Sequence, residues 1–417
     1  MMLLLALLAL QDWPAWRGAG GQGQCAEKNL PLKWSPTENI RWKIPLPDAG
    51  SSTPAIWGDK IFVTQASEKT VWPPGGGNGG QAKAVKRSLL CFARADGKPL
   101  WRADVTYDEL ESTHPTNPFC SASPAVDGER VVVSHGSAGM HAYDLEGKKL
   151  WSVDAGKMEH IWGNAASPVI YEDLAILWVG PGENCRLLAV NKKTGEKVWE
   201  HQEPGADPKK YDGSWSTPVV AKVGGADQLI LGVPRLLKGF DPKTGKELWR
   251  CAGLGALVYN GPLFADGVAV AFSGFHGPAL AVKLGGEGDI TKDRLWHHEK
   301  NNPQRIGSGV IVGEHAYILE ESGAPHCFEL KTGKELWTAQ IEQKPAGGGA
   351  WGSMLHADGR LYITTRGGTT QVFAASPKFE LLASNRLGEH TDASIAVSNG
   401  ELFIRTYKSL WCVSEKK

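Results

Sequence analysis

Residues 241–249 read Asp-Pro-Lys-Thr-Gly-Lys-Glu-Leu-Trp, and variants of this phrase recur along the chain. Each copy has a turn, a polar pair, and an aliphatic residue followed by tryptophan. The tryptophans that end the copies are Trp101, Trp151, Trp199, Trp249, Trp296 and Trp337, spaced by 50, 48, 50, 47 and 41 residues. Trp42 lies in a similar strand without the preceding turn, and Leu382 takes the tryptophan's place near the end. This period is typical of a β-propeller whose blades have four strands, each blade taking about 40–50 residues.

A second phrase marks the start of each unit and contains small residues followed in five copies by proline. The copies span 51–54, 121–124, 165–168, 215–218, 260–262, 306–309, 351–353 and 392–394. Each copy leads into a short apolar run, a tight turn and a second strand, as in the Asp127-Gly128 turn. Asp-Gly supplies the backbone angles that such hairpins need. Eight copies predict eight blades, and small residues suit innermost strands because the blades converge near the axis.

The two ends of the repeat region are each incomplete. The last unit stops at Val413 without an outermost strand, and residues 39–46 form a strand with no inner strands before it. Pairing the two would close the ring and remove two exposed sheet edges. We therefore predict an all-β, eight-bladed β-propeller of four-stranded antiparallel blades as a single domain over 39–417, with a leader segment over 12–38.

The first unit is long because of an insertion over 67–87. Its Pro-Pro-Gly-Gly-Gly and Asn-Gly-Gly runs predict a flexible surface loop. Lys83, Lys86 and Arg87 lie in this segment, and we expect them to be solvated.

Bulk composition limits the classes of function. Lys plus Arg and Asp plus Glu both total 45 in 417 residues, so the formal net charge is zero. A nucleic-acid binder needs a basic face, so we expect no nucleic acid partner. Residues 1–10 are wholly apolar; they are too few to span a bilayer but fit the core of a secretion signal over 1–11. We expect a secreted or periplasmic monomer with no transmembrane segment; a misassigned start and a buried N-terminal strand are the alternatives.

The chain has seven cysteines and no Cys-x-x-Cys motif. An odd number leaves at least one unpaired within the chain. Cys91, Cys327 and Cys412 occupy similar places in similar strands, which is typical of small buried residues.

The phrase at 241–249 resembles the tryptophan-docking motif of pyrroloquinoline-quinone (PQQ)-type propellers, and the likeness covers about residues 39–417. In that family the blade tryptophan packs on the next blade. The resemblance implies structural docking roles for Trp42, Trp101, Trp151, Trp199, Trp249, Trp296 and Trp337. Residues 13–18 also look like the leader of exported relatives. The family contains quinoprotein dehydrogenases and non-catalytic propellers, including a scaffold lipoprotein of outer-membrane barrel assembly, and the chain looks closer to the second type.

A quinoprotein dehydrogenase usually holds its quinone between a tryptophan and a disulfide of adjacent cysteines, beside a calcium ion. No Cys-Cys pair occurs here. The resemblance therefore favours a non-catalytic scaffold or binding propeller without a cofactor or metal. The alternative is a PQQ- and calcium-dependent alcohol or sugar dehydrogenase with a degenerate site.

Residues just before each innermost strand should face one mouth of the central channel, where a protein partner or a small polar ligand could bind. The candidates are His160, Trp162, Asn164, Tyr211, Asp212, Trp215, Tyr259, Asn260, Arg305, Trp351, His390 and Asp392. The alternative is a polar mouth that binds only water. Two other patterns do not predict a binding site. Residues 18–23 match a dinucleotide-binding fingerprint but lack the strand before it and the helix after it. His297 and His298 should point to opposite faces of a strand, which disfavours their binding one metal ion.

Overall fold

Short apolar strands that alternate with glycine turns build a ring of antiparallel sheets around one axis. The computed structural model describes residues 12–69, 80–114, 116–117, 119–204, 212–340 and 349–415. Within these ranges there is no α-helix, only 3₁₀ turns at Ala19–Gly21, Gly136–Ala138 and Thr291–Asp293. Eight sheets contain the four-stranded blades, so the predicted all-β, eight-bladed propeller is confirmed.

Blades 1 to 4 follow one another along the chain, and their strands run from the axis outward. Blade 1 has Ala55–Trp57, Lys60–Lys69, Ala84–Ala93 and Pro99–Thr106. Blade 2 has Ala125–Val126, Arg130–Ser134, Met140–Asp144 and Lys149–Val153. Blade 3 has Val169–Tyr171, Leu174–Val179, Arg186–Asn191 and Lys197–Gln202. Blade 4 has Val219–Val223, Ala226–Val233, Leu236–Phe240 and Glu247–Ala252, with Gly288–Asp289 added outside.

Blades 5 to 8 complete the ring. Blade 5 has Leu263–Ala265, Val268–Phe272, Ala279–Lys283 and Arg294–His298. Blade 6 has Val310–Val312, His315–Leu319, Pro325–Glu329 and Glu335–Thr338. Blade 7 has Leu355–Ala357, Arg360–Thr364, Thr369–Ala374 and Leu381–Arg386. Blade 8 has Ala396–Ser398, Glu401–Arg405, Ser409–Val413 and, outermost, Ile40–Pro45. Besides Gly288–Asp289, five short segments of the described residues pair outside the eight blades. Gly80–Ala82 pairs with Glu111–Thr113, Gly213–Ser214 pairs with Leu257–Val258, and Gln24–Cys25 of the leader pairs parallel with the innermost strand of blade 7.

The two chain ends close the ring as predicted. Ile40–Pro45 pairs antiparallel with Ser409–Val413, with Trp42 opposite Cys412 and Ile44 opposite Leu410. Trp42, Phe403 and Cys412 are buried in a shared core. Because the outer strand of blade 8 comes from the start of the repeat region, the blade cannot form until both ends of the chain are present.

Most of the repeat tryptophans bridge to the following blade. The indole N–H of Trp101 donates to the carbonyl of Leu145 at 2.9 Å. Trp42, Trp151, Trp199, Trp296 and Trp337 make equivalent bonds to the carbonyls of Arg94, Lys192, Pro242, Leu330 and Ser376. Except at Trp337, whose turn in blade 7 has no glycine, each of these rings lies against the glycine of the next blade's turn. The turn and the tryptophan of the motif therefore contact each other directly.

Trp249 differs from the docking role expected for it. Its indole N–H donates to the Gln228 side chain of its own blade at 2.7 Å. The ring still packs in a core with Leu280 and Val282 of blade 5. Blade 5 has no Thr-Gly-Lys turn after its third strand, and the outer edge of blade 4 instead pairs with Gly288–Asp289.

The leader crosses one end of the central channel before it enters blade 8. Its backbone pairs with blade 1 at Trp13 and Ile56, and the carbonyl of Pro14 accepts from Val126 of blade 2. Farther on, the Gln24 amide donates to the carbonyl of Ile311 in blade 6. Contacts with blades on both sides of the axis place the leader across the opening.

The insertion in blade 1 is more ordered than the sequence suggested. The second and third strands of blade 1 extend through it, and pairing continues to Lys69 opposite Ala84. Arg87 is buried and ion-paired with Glu111, so its expected solvation is wrong. Residues 70–79, and the expected secretion signal at 1–11, lie outside the described residues.

Gly245 tests the contact between turn and tryptophan. It has φ +71°, and a Cβ there would lie 2.4 Å from the Trp199 ring. Gly245→Ala should lower the free energy of unfolding by about 2–4 kcal/mol, since left-handed strain and overpacking add. Gly224, in the same blade, has φ +57° and open space around it. Gly224→Ala should cost only about 1 kcal/mol; equal losses in urea unfolding would contradict a special role for the Trp199 contact.

Candidate functional site

A blind cup lies on the propeller axis. Its volume is about 310 Å³, within the range of small-ligand pockets. Trp16 of the leader lies between the cup and a second groove on the opposite side, because it lines both. The leader therefore supplies the floor of the cup.

A belt of hydroxyl groups surrounds the cup where the innermost strands begin. In each link a backbone N–H donates to the hydroxyl of the next blade at 2.8–3.2 Å. The seven hydroxyls are those of Thr53, Ser123, Ser167, Thr217, Ser308, Ser353 and Ser394. The small residues that mark each repeat unit are thus the links between blades at the axis.

The belt is broken at one place. Blade 5 has Gly261 where the other blades have Ser or Thr, so the link from blade 4 is missing. A Cβ at Gly261 would lie 3.1 Å from the Trp16 ring. The absence of a side chain at Gly261 leaves room for the Trp16 indole, which forms the floor of the cup.

The belt hydroxyls remain available as hydrogen-bond donors. Each oxygen accepts a backbone N–H, and a hydroxyl can donate as well as accept. Thr53, Ser123, Ser167, Thr217, Ser353 and Ser394 line the cup, and their hydroxyl protons have no acceptor among the described residues. The inside of the cup is therefore rich in hydrogen-bond donors.

Aromatic rings form one wall of the cup. Trp215 contacts Trp162 at 6.1 Å and Tyr259 at 5.2 Å between ring centroids. The Trp215 indole N–H donates to the carbonyl of Gly163 at 2.8 Å, which fixes the ring. Phe275 also lines the cup but is 57% exposed. Blades 3 to 5 thus present a large apolar surface beside the hydroxyl belt.

The opposite wall carries one largely enclosed ion pair, in which the Arg366 side chain is 16% exposed and the Asp392 side chain 4% exposed. Asp392 accepts from Arg366 Nε at 2.7 Å and from the Tyr407 hydroxyl at 2.6 Å, and His390 lies 3.3 Å away. The Arg366 guanidinium lies 4.3 Å from the centre of the Trp351 ring, which lines the cup. The charges of Asp392 and Arg366 on this wall therefore neutralise each other.

Burial and these hydrogen-bond donors shift the pKa of Asp392 in opposite directions. Burial raises the pKa of the carboxyl, but bonds from His390, Arg366 and Tyr407 outweigh it and hold the pKa below its usual value. Burial, together with the Asp392 charge, raises the pKa of the Tyr407 hydroxyl. Burial likewise raises the pKa of Tyr259. At neutral pH the cup has an ionised carboxylate and protonated phenols.

Five of the twelve residues expected at the mouth line the cup: Trp162, Trp215, Tyr259, Trp351 and Asp392. Others lie behind the wall. His160 packs against Trp215 at 4.8 Å, Asn260 donates to the carbonyl of Gly307, and Asp212 pairs with Arg235.

Asn164 accepts a bond from Asn117, and His390 packs on Tyr407 behind Asp392. Arg305 lines a separate cleft, and Tyr211 lies outside the described residues.

Sequence reasoning missed several residues of the cup. Trp16 was assigned only to a leader, and Asn117, Phe275 and Gln304 also line the cup. The belt residues were recognised as markers of repeat units, but not as ligand-facing donors. Their regular spacing was the available signal.

A calcium–quinone centre does not fit the residues of this cup. Calcium takes six to eight oxygen ligands and favours carboxylates. Asp392 is the single carboxylate among the described lining residues, and its oxygens already face Arg366, His390 and Tyr407. We derive no chemistry through such a centre.

One carboxylate cluster elsewhere also fails as a metal site. His201, Glu203 and Glu247 lie close together in blades 3 and 4. The Lys238 ammonium lies between the two carboxylates, 2.7 Å from Glu203 and 3.1 Å from Glu247. Arg250 also pairs with Glu247 at 2.5 Å, so Lys238 and Arg250 together already balance the two carboxylates that a metal cation would need. Among the described residues, no helix has the length and apolar character to cross a bilayer.

The family model described as "Outer membrane protein assembly factor BamB" matches residues 85–338 and 234–404. The chain belongs to this PQQ-like propeller family. Among curated proteins, tetrathionate hydrolase of Acidithiobacillus ferrooxidans is 25% identical over 288 residues, which is 66% of this chain and 45% of that protein. The chain thus spans less than half the length of this relative.

Solved structures of two kinds share the fold. BamB from Moraxella catarrhalis superimposes with a TM-score of 0.61 at 13% identity, covering 90% of this chain and 96% of that one. Quinohemoprotein alcohol dehydrogenase from Comamonas testosteroni gives a TM-score of 0.65 at 11% identity, covering 98% and 81%. Likeness at this identity shows the propeller fold and does not choose between a scaffold and an enzyme.

The Asp392 ion pair predicts a pH-dependent stability. A carboxyl whose folded pKa is depressed stabilises the fold above its unfolded pKa of about 4, and this contribution is lost as pH falls through the folded value. Asp392→Asn should therefore cost about 3 kcal/mol at pH 7, because Arg366 loses its partner. The difference in stability should begin to shrink as the pH falls below about 4 and disappear below the depressed folded pKa of Asp392. Asp96→Asn, at an exposed carboxylate, should leave the melting temperature unchanged; a pH-independent gap for Asp392→Asn would contradict the assignment.

Proposed function

We propose that this chain is a non-catalytic binding propeller, acting outside the cytoplasm, whose cup takes a small, neutral, oxygen-rich ligand that contains a ring. Neutral mono- and disaccharides have this chemistry. The observation that carries the proposal is the combination of donor hydroxyls with an aromatic wall in one blind cup. The wholly apolar residues 1–10 support export.

The hydroxyl belt favours ligands with acceptor oxygens. Six belt residues line the cup, and each has a proton to donate. A hydrogen bond of this kind contributes about 0.5–1.5 kcal/mol, and a buried donor left without a partner is costly. A ligand with oxygens around its edge would satisfy several of these donors at once.

The aromatic wall favours a ligand with a flat, partly apolar face. Trp162, Trp215 and Tyr259 are fixed by their contacts with one another. Phe275 is largely exposed beside them, and this is the arrangement of a ring that gains burial when a ligand arrives. A charged ligand is less well matched, because Asp392 and Arg366 already neutralise each other.

The reactive groups of the chain support binding over catalysis. Asp392 already receives strong donors, so its lone pairs are poorly available to act as a base. No cysteine lines the cup among the described residues. Elsewhere burial raises the pKa of the Cys91 thiol to about 12 and that of Cys327 to about 11, which disfavours the nucleophilic thiolate.

The proposal predicts saturable binding of neutral sugars that depends on Phe275. Glucose, maltose and cellobiose would be titrated into the purified protein by calorimetry, with tryptophan fluorescence as a second readout because Trp16 and Trp215 line the cup. Phe275→Ala should weaken binding about 2–10-fold, the value of one aromatic contact. The fold should be unaffected, because this ring is exposed.

Leu381→Ala is the matched control. Leu381 is 43% exposed on the outermost strand of blade 7, far from the cup. Its substitution should leave the sugar affinity unchanged. Absence of binding at millimolar sugar would overturn the proposed ligand class. Saturable PQQ binding with calcium and dye reduction by an alcohol would overturn the non-catalytic function.

A further inference from the structure

A second cleft lies between blades 5 and 6, away from the cup. Its volume is about 750 Å³, and Arg305, Lys300, His298, His326, Glu320 and Glu335 are among its lining residues. None of these residues lines the cup. The cleft is therefore a separate cavity with its own charged groups.

Arg305 is the unusual group in this cleft. It is 2% exposed, and its guanidinium lies 5.1 Å from the centre of the Phe272 ring. Its Nε and Nη1 have no hydrogen-bond partner. Burial lowers its pKa to about 10, which leaves it charged at neutral pH. A buried charge without a hydrogen-bonded partner is strongly unfavourable.

The guanidinium groups of the other five buried arginines each make at least one hydrogen bond. Arg87 and Arg94 are ion-paired with Glu111 and Glu401. Arg130 pairs with Glu129, Arg17 donates to two carbonyls, and Arg405 donates to Ser52. Among the six buried arginines of the described residues, the Arg305 guanidinium alone makes no hydrogen bond.

The carboxylates of the cleft are committed elsewhere. His326 lies between Glu320 and Glu335, with its two ring nitrogens 3.3 Å and 3.1 Å from their oxygens. Neither carboxylate comes within ion-pair distance of Arg305. Lys300 is exposed at the cleft and makes no ion pair among the described residues. Glu320 and Glu335 still act on Arg305 through space and raise its pKa. Arg305 and Lys300 therefore line the cleft without an ion pair or a side-chain hydrogen bond among the described residues.

We propose that this cleft is a binding site for an oxyanion, held by the Arg305 guanidinium and the Lys300 ammonium. Nε and Nη1 of Arg305 are enclosed by protein, so Nη2 is the guanidinium nitrogen that can donate to an oxygen of a phosphate, sulfate or carboxylate group in the cleft. The Phe272 ring packs against the guanidinium as a cation–π contact. The site does not depend on the proposed function of the cup.

The test is the stability of the full chain in different anions at constant ionic strength. In a HEPES–chloride buffer, added sodium phosphate or sodium sulfate should raise the melting temperature by about 1–2 °C in a saturable way. Sodium acetate in a parallel series distinguishes a carboxylate ligand from a tetrahedral oxyanion. Calorimetric titration with phosphate should give one site per chain.

Two variants assign the effect to the cleft. Arg305→Met should abolish the phosphate-dependent rise, yet be as stable as the unsubstituted protein in chloride because it removes a buried charge that makes no hydrogen bond. Lys300→Gln, on the surface, should weaken phosphate binding about 3–10-fold without changing the fold.

Arg405→Met is the matched control at another buried arginine. It should lower the melting temperature in every buffer and retain the phosphate-dependent rise. No anion-specific rise in the unsubstituted protein, or the same rise in Arg305→Met, would overturn the proposal.

Discussion

The hydroxyl belt is the contact on which the rest of the structure depends. Eight separate sheets must meet around one axis, and their innermost strands are only two to five residues long. Such short strands have little side-chain area with which to hold one another. Bonds from a backbone N–H to the next blade's Ser or Thr join them directly, and the same small side chains leave the axis open.

The outer radius is held by a different contact. There the indole of Trp151 reaches the carbonyl of Lys192, and its ring lies against Gly195 of the next turn. Inner hydrogen bonds and outer aromatic packing together fix each blade at both ends. These inner and outer contacts also fix the shape of the cup, because the residues of its wall lie on loops of the blades that the contacts hold in place.

The architecture was predictable because it is periodic. Copies of one motif revealed the blades, and the unpaired strand at 39–46 revealed how the ring closes. The site was harder to predict, because side-chain direction at the mouth depends on loops that do not repeat. Arg305 precedes an innermost strand as Trp351 does, yet it turns into the cleft between blades, where it packs against the Phe272 ring. Trp16 could not be foreseen as the floor, since nothing in the repeat indicates that the leader crosses the axis.

The Trp16 indole separates two cavities that lie on opposite sides of the propeller ring. It borders the cup on one side and, on the other, a groove that includes Trp57 and Tyr171. Gly261 gives the ring its seat by leaving the belt open there. One side chain is thus a partition between two chambers, and whatever displaces it from one chamber alters the volume of the other. The two cavities therefore share one wall, and a smaller side chain at position 16 would join them into a single channel.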